Sequence, residues 1–206
     1  MERRIAVEVA AGLIGAALLG IVLRWRRNPS AYPYGLSFSL ELPRPFITRS
    51  RLREVLVPKP GERVLEVGPG TGYYSLHVAR RLEPGGTLDV LDIQQEMLDQ
   101  TVRRAHESGI SNITPVRGDA QALPYPDNGF DAAYLNFVLG EIPDRDAALR
   151  ELRRTLKPGG RLVIGEAFTD PHMVRFGVLR TRAEAAGLEF ERRLGGPLGY
   201  YARFAA

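Results

Sequence analysis

The chain has 206 residues, 44% of them hydrophobic and 25% charged, a composition typical of a globular protein and a length that suits one α/β domain with a short extension. It contains no cysteine, which excludes disulfides, zinc–thiolate centres and thiol nucleophiles. Residues 24–60 carry eight basic and two acidic side chains, a net charge of +6, whereas residues 61–206 carry 18 basic and 20 acidic ones, a net charge of −2. The basic excess therefore belongs to a short segment, which argues against nucleic acid as a partner of the domain.

Residues 5–23, IAVEVAAGLIGAALLGIVL, form an almost wholly apolar run that is followed by arginines. Nineteen helical residues span about 28 Å, close to the roughly 30 Å hydrocarbon core of a bilayer. We therefore predict a single transmembrane helix, with residues 1–27 as a membrane anchor and basic flank. The alternative is a buried N-terminal helix that packs on the domain.

The charge that follows the apolar run predicts its orientation. A net charge of +6 on the carboxyl side, against zero in the residues before and within the run, places the domain in the cytoplasm by the positive-inside rule and its basic patch near anionic lipid headgroups. Within the run, Gly12, Ala16 and Gly20 recur every four residues. This face could form a homodimer by packing against another span, or could reflect only the usual glycine and alanine content of membrane helices.

The segment after the arginines, NPSAYPYGLSFSLELPRPF at 28–46, is rich in proline and aromatic residues. Its prolines make a long regular helix unfavourable. We interpret it as a linker that lies on the domain and leads into a short helix over 47–56, so that residues 28–60 serve as linker and lid.

From residue 61 onward, short β-rich runs alternate with helical stretches. This alternation predicts right-handed βαβ units and a doubly wound parallel sheet of α/β class, which makes residues 61–206 one domain. LKPGG at 156–160 is interpreted as a structural turn before the fifth strand. The predicted strands are 63–67, 87–93, 113–119, 130–136 and 161–167, and the predicted helices are 73–82, 95–109 and 145–156.

The end of the chain follows a different pattern. A helix is predicted over 174–186, followed by strands at 188–194 and 199–204. The link between these strands, GGPLG, is too short for a crossover helix, so the two strands must be antiparallel. The sheet should therefore end in an antiparallel hairpin.

A glycine-rich turn, VLEVGPGTGYYSL at 64–76, joins the first strand to the first helix. Gly68, Gly70 and Gly72 allow a ligand to approach the backbone closely. The dinucleotide fingerprint requires a third glycine where Tyr73 stands. Glu66 lies two residues ahead of the first glycine, and a carboxylate there favours a cationic ligand over a pyrophosphate. The loop therefore indicates a nucleoside with a positively charged arm.

The second strand ends at Asp92, twenty residues beyond Gly72. An acidic side chain at this position can accept hydrogen bonds from both hydroxyls of a ribose. Ile93 and Met97 follow Asp92, and their apolar side chains could pack against the ring of a nucleobase. The alternative is that Asp92 only caps the next helix.

Four ordered segments, VLEVGPGTGYYSL, LDVLDIQQEML, GDAQALPYPDNGFDAAYLN and LKPGGRLVIGE, resemble the class I S-adenosylmethionine-dependent methyltransferases. The pattern is most similar to the ubiquinone and menaquinone methyltransferase-like group, also called methyltransferase type 11. The resemblance implies a Rossmann-like, mostly parallel seven-stranded sheet with a reversed C-terminal hairpin, and S-adenosylmethionine as the cofactor.

Transferred onto this sequence, the resemblance implies a role for each matching position. The glycine loop would hold the methionine part of the cofactor, Glu66 its amino group, and Asp92 its ribose. Asn136, at the end of the fourth strand, would face the carboxypropyl arm and the transferred methyl group. The implied cofactor-binding residues are Glu66, Gly68, Pro69, Gly70, Thr71, Gly72, Asp92, Ile93, Met97, Asp119, Ala120 and Asn136.

Candidates for a catalytic role are few. A general base is not essential, because alignment of the acceptor with the transferred methyl group can alone supply roughly 7 to 11 kcal/mol of the activation barrier. Besides Asn136, Glu141 and Glu166 follow strands four and five at the edge where open α/β sheets bind ligands. Glu141 could instead be a solvated loop charge, and Glu166 a cap or an ion-pair partner. His172 is a weaker candidate, and no metal ligand set is expected.

The late strands lack the inserted cap found in many relatives that act on free small molecules, which leaves residues 28–56 to cover the pocket. This favours methyl transfer to a lipid-soluble acceptor, such as a quinone, an isoprenoid or a phospholipid, by a single-pass membrane protein. The alternatives are an anchored methyltransferase of a soluble molecule and a cofactor-binding assembly protein without catalysis.

Overall fold

The computed structural model describes Gly20, residues 29–41 and residues 44–206. The apolar run at 5–23 lies outside the described residues except for Gly20, as do Gly12 and Ala16 of the small-residue face. Among the helices that are described, none is both long enough and apolar enough to cross a bilayer. The membrane helix and the homodimer therefore remain predictions from the sequence.

Seven strands form one sheet within the described residues, in the order β3-β2-β1-β4-β5-β7-β6. Neighbours among the first five strands are parallel, and β7 is antiparallel to both β5 and β6. The Rossmann-like sheet and its antiparallel C-terminal hairpin are thus confirmed. The strands are β1 (Arg63–Val67), β2 (Thr87–Asp92), β3 (Ile113–Arg117), β4 (Phe130–Asn136), β5 (Leu156–Ala167), β6 (Glu189–Gly196) and β7 (Gly199–Ala205).

Helices cover both faces of the sheet because alternate residues of the inner strands point to opposite sides. In β1, Leu65 packs in one buried cluster with Leu152 and other apolar residues, whereas Val64 packs in a second cluster with Leu52. The α-helices of the region 44–206 are α1 (Arg49–Leu56), α2 (Ser75–Leu82), α3 (Gln95–Glu107), α4 (Arg145–Thr155) and α5 (Phe176–Ala185), and 3-10 helices span Tyr34–Glu41 and Leu139–Glu141.

The turn predicted at LKPGG, 156–160, is present as an irregularity inside β5, which runs from Leu156 to Ala167: a β-carbon on Gly160 would lie 2.8 Å from the carbonyl oxygen of Lys157. The amide of Gly159 donates to the carbonyl of Ala206 at 2.8 Å, and the amide of Ala206 donates to Gly160 at 2.9 Å. The end of the chain therefore pairs with this segment and extends the strand. A left-handed conformation at Gly159, with φ of 73°, and a register shift between Phe130 and Ala132 accommodate the irregularity.

Candidate active site

A cavity of about 630 Å³ opens at the carboxyl ends of β1, β2 and β4, the edge where ligands of open α/β sheets bind. Its volume is in the range of pockets that hold small-molecule ligands. Most of the residues predicted to bind the cofactor line it, namely Gly68, Pro69, Gly70, Thr71, Asp92, Ile93, Met97, Asp119, Ala120 and Asn136. Glu66 and Gly72 are not among the lining residues.

The glycine loop turns sharply from β1 toward α2. Gly68, Gly70 and Gly72 all have positive φ, at 70°, 56° and 80°, a conformation in which only glycine is unstrained. A β-carbon on Gly68 would lie 2.3 Å from Cγ2 of Val138. The amide of Gly68 donates to the carbonyl of Leu91 in β2 at 2.8 Å. The loop is therefore held close to both neighbouring strands while its backbone faces the cavity.

Glu66 is buried behind this loop, 1% exposed. Burial raises the pKa of its carboxyl to about 7, although the hydroxyls of Ser75 and Tyr134 and the charge of Arg44 oppose the shift. Its Oε2 has no hydrogen-bond partner among the described residues. A buried carboxylate oxygen without a partner is costly, and a cationic group bound at the loop would stabilise its charge.

Asp92 ends β2 in the cavity wall, and its Oδ1 accepts the amide of Gln94 at 2.9 Å. The N-cap residue of α3 is Gln94, without a side-chain cap, so Asp92 braces the turn before the helix while it lines the cavity. Burial raises the pKa of Asp92 to about 6, against the hydrogen bonds from the amides of Gln94 and Ile93. Met97 lies buried beside it and Ile93 is half exposed.

Asp119 and Ala120 follow β3 and lie at the side of the cavity. Both carboxylate oxygens of Asp119 accept hydrogen bonds from the side-chain amide of Gln121, at 3.0 and 2.8 Å. Gln121 in turn accepts the amide of Asp144 at 2.9 Å. This chain of contacts holds the loop after β3 against the start of α4.

Asn136 ends β4, lines the cavity and is 7% exposed, yet neither atom of its amide group has a hydrogen-bond partner among the described residues. Gly165 makes room for it, since a β-carbon there would lie 2.6 Å from Oδ1 of Asn136. The next residue, Phe137, has φ of 64°, a strained conformation that is typical of functional sites. The amide of Asn136 is therefore available to hydrogen-bond a ligand bound in the cavity.

Glu141 also lines the cavity. Burial raises the pKa of its carboxyl to about 8; Asp170 and Asp92 add to the shift, and the hydrogen bond from the amide of Tyr32 opposes it. The partial burial of Glu141 and its hydrogen bond from the amide of Tyr32 favour a site residue over a solvated loop charge.

Glu166 does not line the cavity. It is wholly buried, and its Oε2 accepts the amide of Val174 at 3.1 Å. Burial, with a smaller contribution from Asp170, holds the pKa of Glu166 well above its usual range. His172 is buried in the same loop, where its amide donates to Oδ1 of Asp170 at 2.7 Å. Glu166 thus braces the loop after β5, and its candidacy as a catalytic group is not supported by its position.

The segment before α1 covers the cavity. We call residues 29–41 and 44–46 the strap. Tyr32 accepts a hydrogen bond from the side chain of Gln94 at 2.9 Å, and its amide donates to Oε2 of Glu141 at 3.1 Å. Farther along, Glu41 accepts hydrogen bonds from Thr71 and Arg104, which lower its pKa although partial burial raises it. The strap is therefore fastened at two points on either side of the cavity.

Several cavity residues were missed from the sequence. Arg44 lines the cavity with its guanidinium 4.9 Å from the ring centre of Tyr73 and 5.2 Å from that of Phe137. No motif signals such a residue in a proline-rich segment. Thr169 and Asp170 also line the cavity, and their position directly after β5 is a signal that could have indicated them.

The residues present fit S-adenosylmethionine. The cofactor joins a nucleoside to an amino-acid arm and a sulfonium cation, and the cavity presents a glycine loop, a carboxylate at the end of β2 and an unpaired amide at Asn136. The loop backbone would meet the amino-acid arm, Asp92 the ribose, and Ile93 and Met97 the base.

A comparison with family models decides the assignment. The model described as "ubiE/COQ5 methyltransferase family" matches residues 39–178, which include the glycine loop, the ends of β2 and β4, and the part of the strap from residue 39. The chain belongs to the ubiE/COQ5 methyltransferase family. The predictions of a methyltransferase and of S-adenosylmethionine as its cofactor are confirmed at the level of this family.

Curated relatives within the family carry the name ubiquinone/menaquinone biosynthesis C-methyltransferase UbiE. The protein from Shewanella frigidimarina is 38% identical over 120 residues, 58% of this chain and 48% of the relative. The protein from Cellvibrio japonicus is 42% identical over 115 residues, 55% of this chain and 46% of the relative. The chain thus spans about half the length of the curated relatives it matches.

Solved structures share the fold. A SAM-dependent methyltransferase from Aquifex aeolicus superposes with a TM-score of 0.78 at 20% identity, covering 85% of this chain and 99% of that one. The [4+2]-cyclase SpnF superposes with a TM-score of 0.64 at 32% identity, covering 71% of this chain and 57% of that one. The first similarity shows the fold alone, and the second shows that a cyclase also shares this fold.

Proposed function

We propose that this protein transfers the methyl group of S-adenosylmethionine to a carbon atom of a lipid-soluble, quinone-like acceptor at the cytoplasmic face of a membrane. The observation that carries the proposal is the cavity of about 630 Å³ that remains beneath the strap and is lined both by cofactor-type residues and by Glu141. The names of the relatives from Shewanella frigidimarina and Cellvibrio japonicus support the acceptor class.

The acceptor side of the cavity is apolar around a few polar groups. The apolar lining residues Phe137, Val138, Ile142 and Leu40 would form its walls, and Val138 and Leu40 also lie against Gly68 and Gly70 of the glycine loop. An aromatic acceptor ring suits such walls. Asn136, whose amide atoms lack partners among the described residues, would donate to or accept from a ring hydroxyl and so align the reacting carbon.

Methylation of an aromatic carbon requires the loss of one proton. S-adenosylmethionine supplies a methyl group on a sulfonium sulfur, which leaves as a neutral thioether. The acceptor carbon forms the new bond to the methyl group, and its ring proton must pass to a base. We assign this role to Glu141, since it lines the cavity and burial raises its pKa to about 8, near the range where a base works efficiently.

Anchoring supports the choice of a lipid acceptor. The apolar run at 5–23 and the net charge of +6 over 24–60 hold the domain beside a membrane in this proposal, with the strap between the membrane and the cavity. An open cavity beneath the strap is the opposite of the blocked pocket expected for a non-catalytic assembly protein.

The proposal is tested by incubating the purified chain with S-adenosylmethionine and a chemically reduced short-chain quinone lacking one ring methyl group. We expect a product heavier by one CH₂ unit, with the new methyl group on a ring carbon by NMR. A matched reaction uses a soluble phenol as the acceptor. Methylation of the phenol alone would favour the soluble-acceptor alternative, and no product with either would contradict the proposal.

A further inference from the structure

The four most exposed large apolar side chains of the described residues lie in the strap, after β2, after β5 and in the turn between β6 and β7. Phe38 is 72% exposed, Phe168 56%, Leu198 55% and Ile93 50%. Ile93 lines the cavity, Phe168 precedes the lining residue Thr169, and Phe38 is two residues from the lining residue Leu40. We call Phe38, Phe168 and Leu198 the lip.

The lip is held together by the fold. The amide of Phe168 donates to the carbonyl of Leu198 at 3.0 Å, which joins the loop after β5 to the turn between β6 and β7. The ring of Phe168 packs edge-on against Phe46, with ring centres 5.5 Å apart. Phe168 and Leu198 are thus joined at the carboxyl edge of the sheet, and both side chains are more than half exposed.

One arginine reaches the segment that packs against Phe168. The guanidinium of Arg51 donates to the carbonyl of Phe46 at 3.0 Å, and the ring of Phe46 packs against Phe168. Apolar side chains rimmed by arginine are typical of surfaces that bind anionic membranes. The apolar run ends at residue 23 and the strap begins at Pro29, so the strap starts within about 22 Å of the end of that run.

We infer that the lip is a membrane-docking surface that inserts into an anionic bilayer and places the mouth of the cavity at the lipid phase. This inference rests on the proposed function, because it supplies the route by which a lipid-soluble acceptor would enter. Exposed apolar patches mark interaction sites, and here Phe38 and Phe168 are two residues and one residue away from residues that line the cavity.

The chain has no cysteine, so a single introduced cysteine can carry an environment-sensitive fluorophore in the full-length protein. Phe38→Cys and Phe168→Cys place the label on the lip, and Glu107→Cys places it at the end of α3, on the opposite edge of the sheet. Each labelled protein is bound to vesicles of phosphatidylcholine and phosphatidylglycerol that contain a quencher buried among the acyl chains.

We expect a blue shift and strong quenching at positions 38 and 168 and neither at 107. Binding of S-adenosylhomocysteine, measured in the same samples, reports the proposed function independently of the vesicles. Vesicle-bound protein whose labels at 38 and 168 remain in water would overturn the inference. Protection of these labels without quenching, as in self-association, would overturn it equally.

A matched pair of variants tests the consequence for catalysis. Phe168→Ser with Leu198→Ser removes exposed apolar surface from the lip, whereas Val102→Ser with Val178→Ser removes it elsewhere. For an acceptor dissolved in vesicles, we expect the KM of the lip variant to rise about tenfold, with kcat and cofactor binding unchanged. An equal KM in the two double variants would contradict the docking role.

Discussion

The amide nitrogen of Tyr32 lies 3.1 Å from Oε2 of Glu141, and this hydrogen bond joins the strap to the carboxylate that faces the cavity. Glu141 therefore has two roles. Glu141 helps to fasten the cover of the site, and the same largely desolvated position raises its pKa to about 8. A substitution that removes the charge of Glu141 but keeps its hydrogen bond with Tyr32 can therefore separate these two roles.

Glu141→Gln keeps an oxygen that can accept the amide of Tyr32 but removes the base. We expect kcat for ring methylation to fall about 100-fold or more, within the range for loss of a general base, while the affinity for S-adenosylhomocysteine stays within twofold. In the unaltered protein, kcat should rise with pH up to about 8 as Glu141 ionises. A kcat that does not depend on pH, or a fully active Glu141→Gln protein, would exclude Glu141 as the base.

Asp92 is predicted to hold the ribose of the cofactor. Asp92→Ala should weaken S-adenosylhomocysteine binding at least tenfold from a micromolar starting point, which corresponds to about 1.4 kcal/mol. Titration calorimetry measures this directly. Asp99→Ala is the matched control, since Asp99 is exposed on α3 and pairs with Gln95. Equal affinities for the two variants would remove Asp92 from the site.

Gly68 and Gly109 have nearly the same φ, 70° and 68°, but different surroundings. A β-carbon on Gly68 would lie 2.3 Å from Val138, whereas one on Gly109 would meet nothing within 4 Å. Both alanine variants should lose about 1 to 2 kcal/mol of stability from the left-handed conformation. Only Gly68→Ala should also lose cofactor binding, because Val138 must move into the cavity. Equal cofactor binding by the two variants would show that the close approach of Gly68 to Val138 is not needed for binding.

Sequence patterns predicted the sheet because each βαβ unit has a local signature: an apolar run, a turn and an amphipathic helix. The glycine loop and Asp92 could be predicted for the same reason, because each lies at the end of a predicted strand. The contact of Tyr32 with Glu141 spans 109 residues and has no local signature. Arg44 was missed because its position depends on packing against Tyr73 and Phe137, and the extension of β5 was missed because it depends on pairing with Ala206.

The strap is fastened at its second point by Glu41, which pairs with Arg104. Arg104 also donates to the carbonyl of Thr71 at 2.7 Å, so its loss would free both the strap and the glycine loop. We expect Arg104→Ala to speed dissociation of S-adenosylhomocysteine several-fold in stopped-flow measurements. Arg103→Ala, at an exposed neighbouring position, is the control. Unchanged dissociation in Arg104→Ala would mean that the strap does not retain the ligand.

Three carboxyls of the site, Glu66, Asp92 and Glu141, have raised pKa values in the folded protein, at about 7, about 6 and about 8. The folded state therefore binds protons that the unfolded state has released, so stability should fall as pH rises from about 4.5 through about 8. One such group costs at most about 1.4 kcal/mol per pH unit. Urea unfolding across this range should show a flatter pH profile for Glu141→Gln than for the exposed control Glu107→Gln, and identical profiles would contradict the burial of Glu141.

The most direct test of the proposed function is to incubate membranes and the purified chain with S-adenosylmethionine labelled in its methyl group, then separate lipid from water by organic extraction. Glu141→Gln protein in parallel membranes measures background transfer. We predict that label accumulates in the organic phase, in a species with the mobility of a quinone, and only with the unaltered protein. Label that stays in the aqueous phase, or that enters lipid equally with the variant, would contradict methyl transfer to a lipid-soluble acceptor.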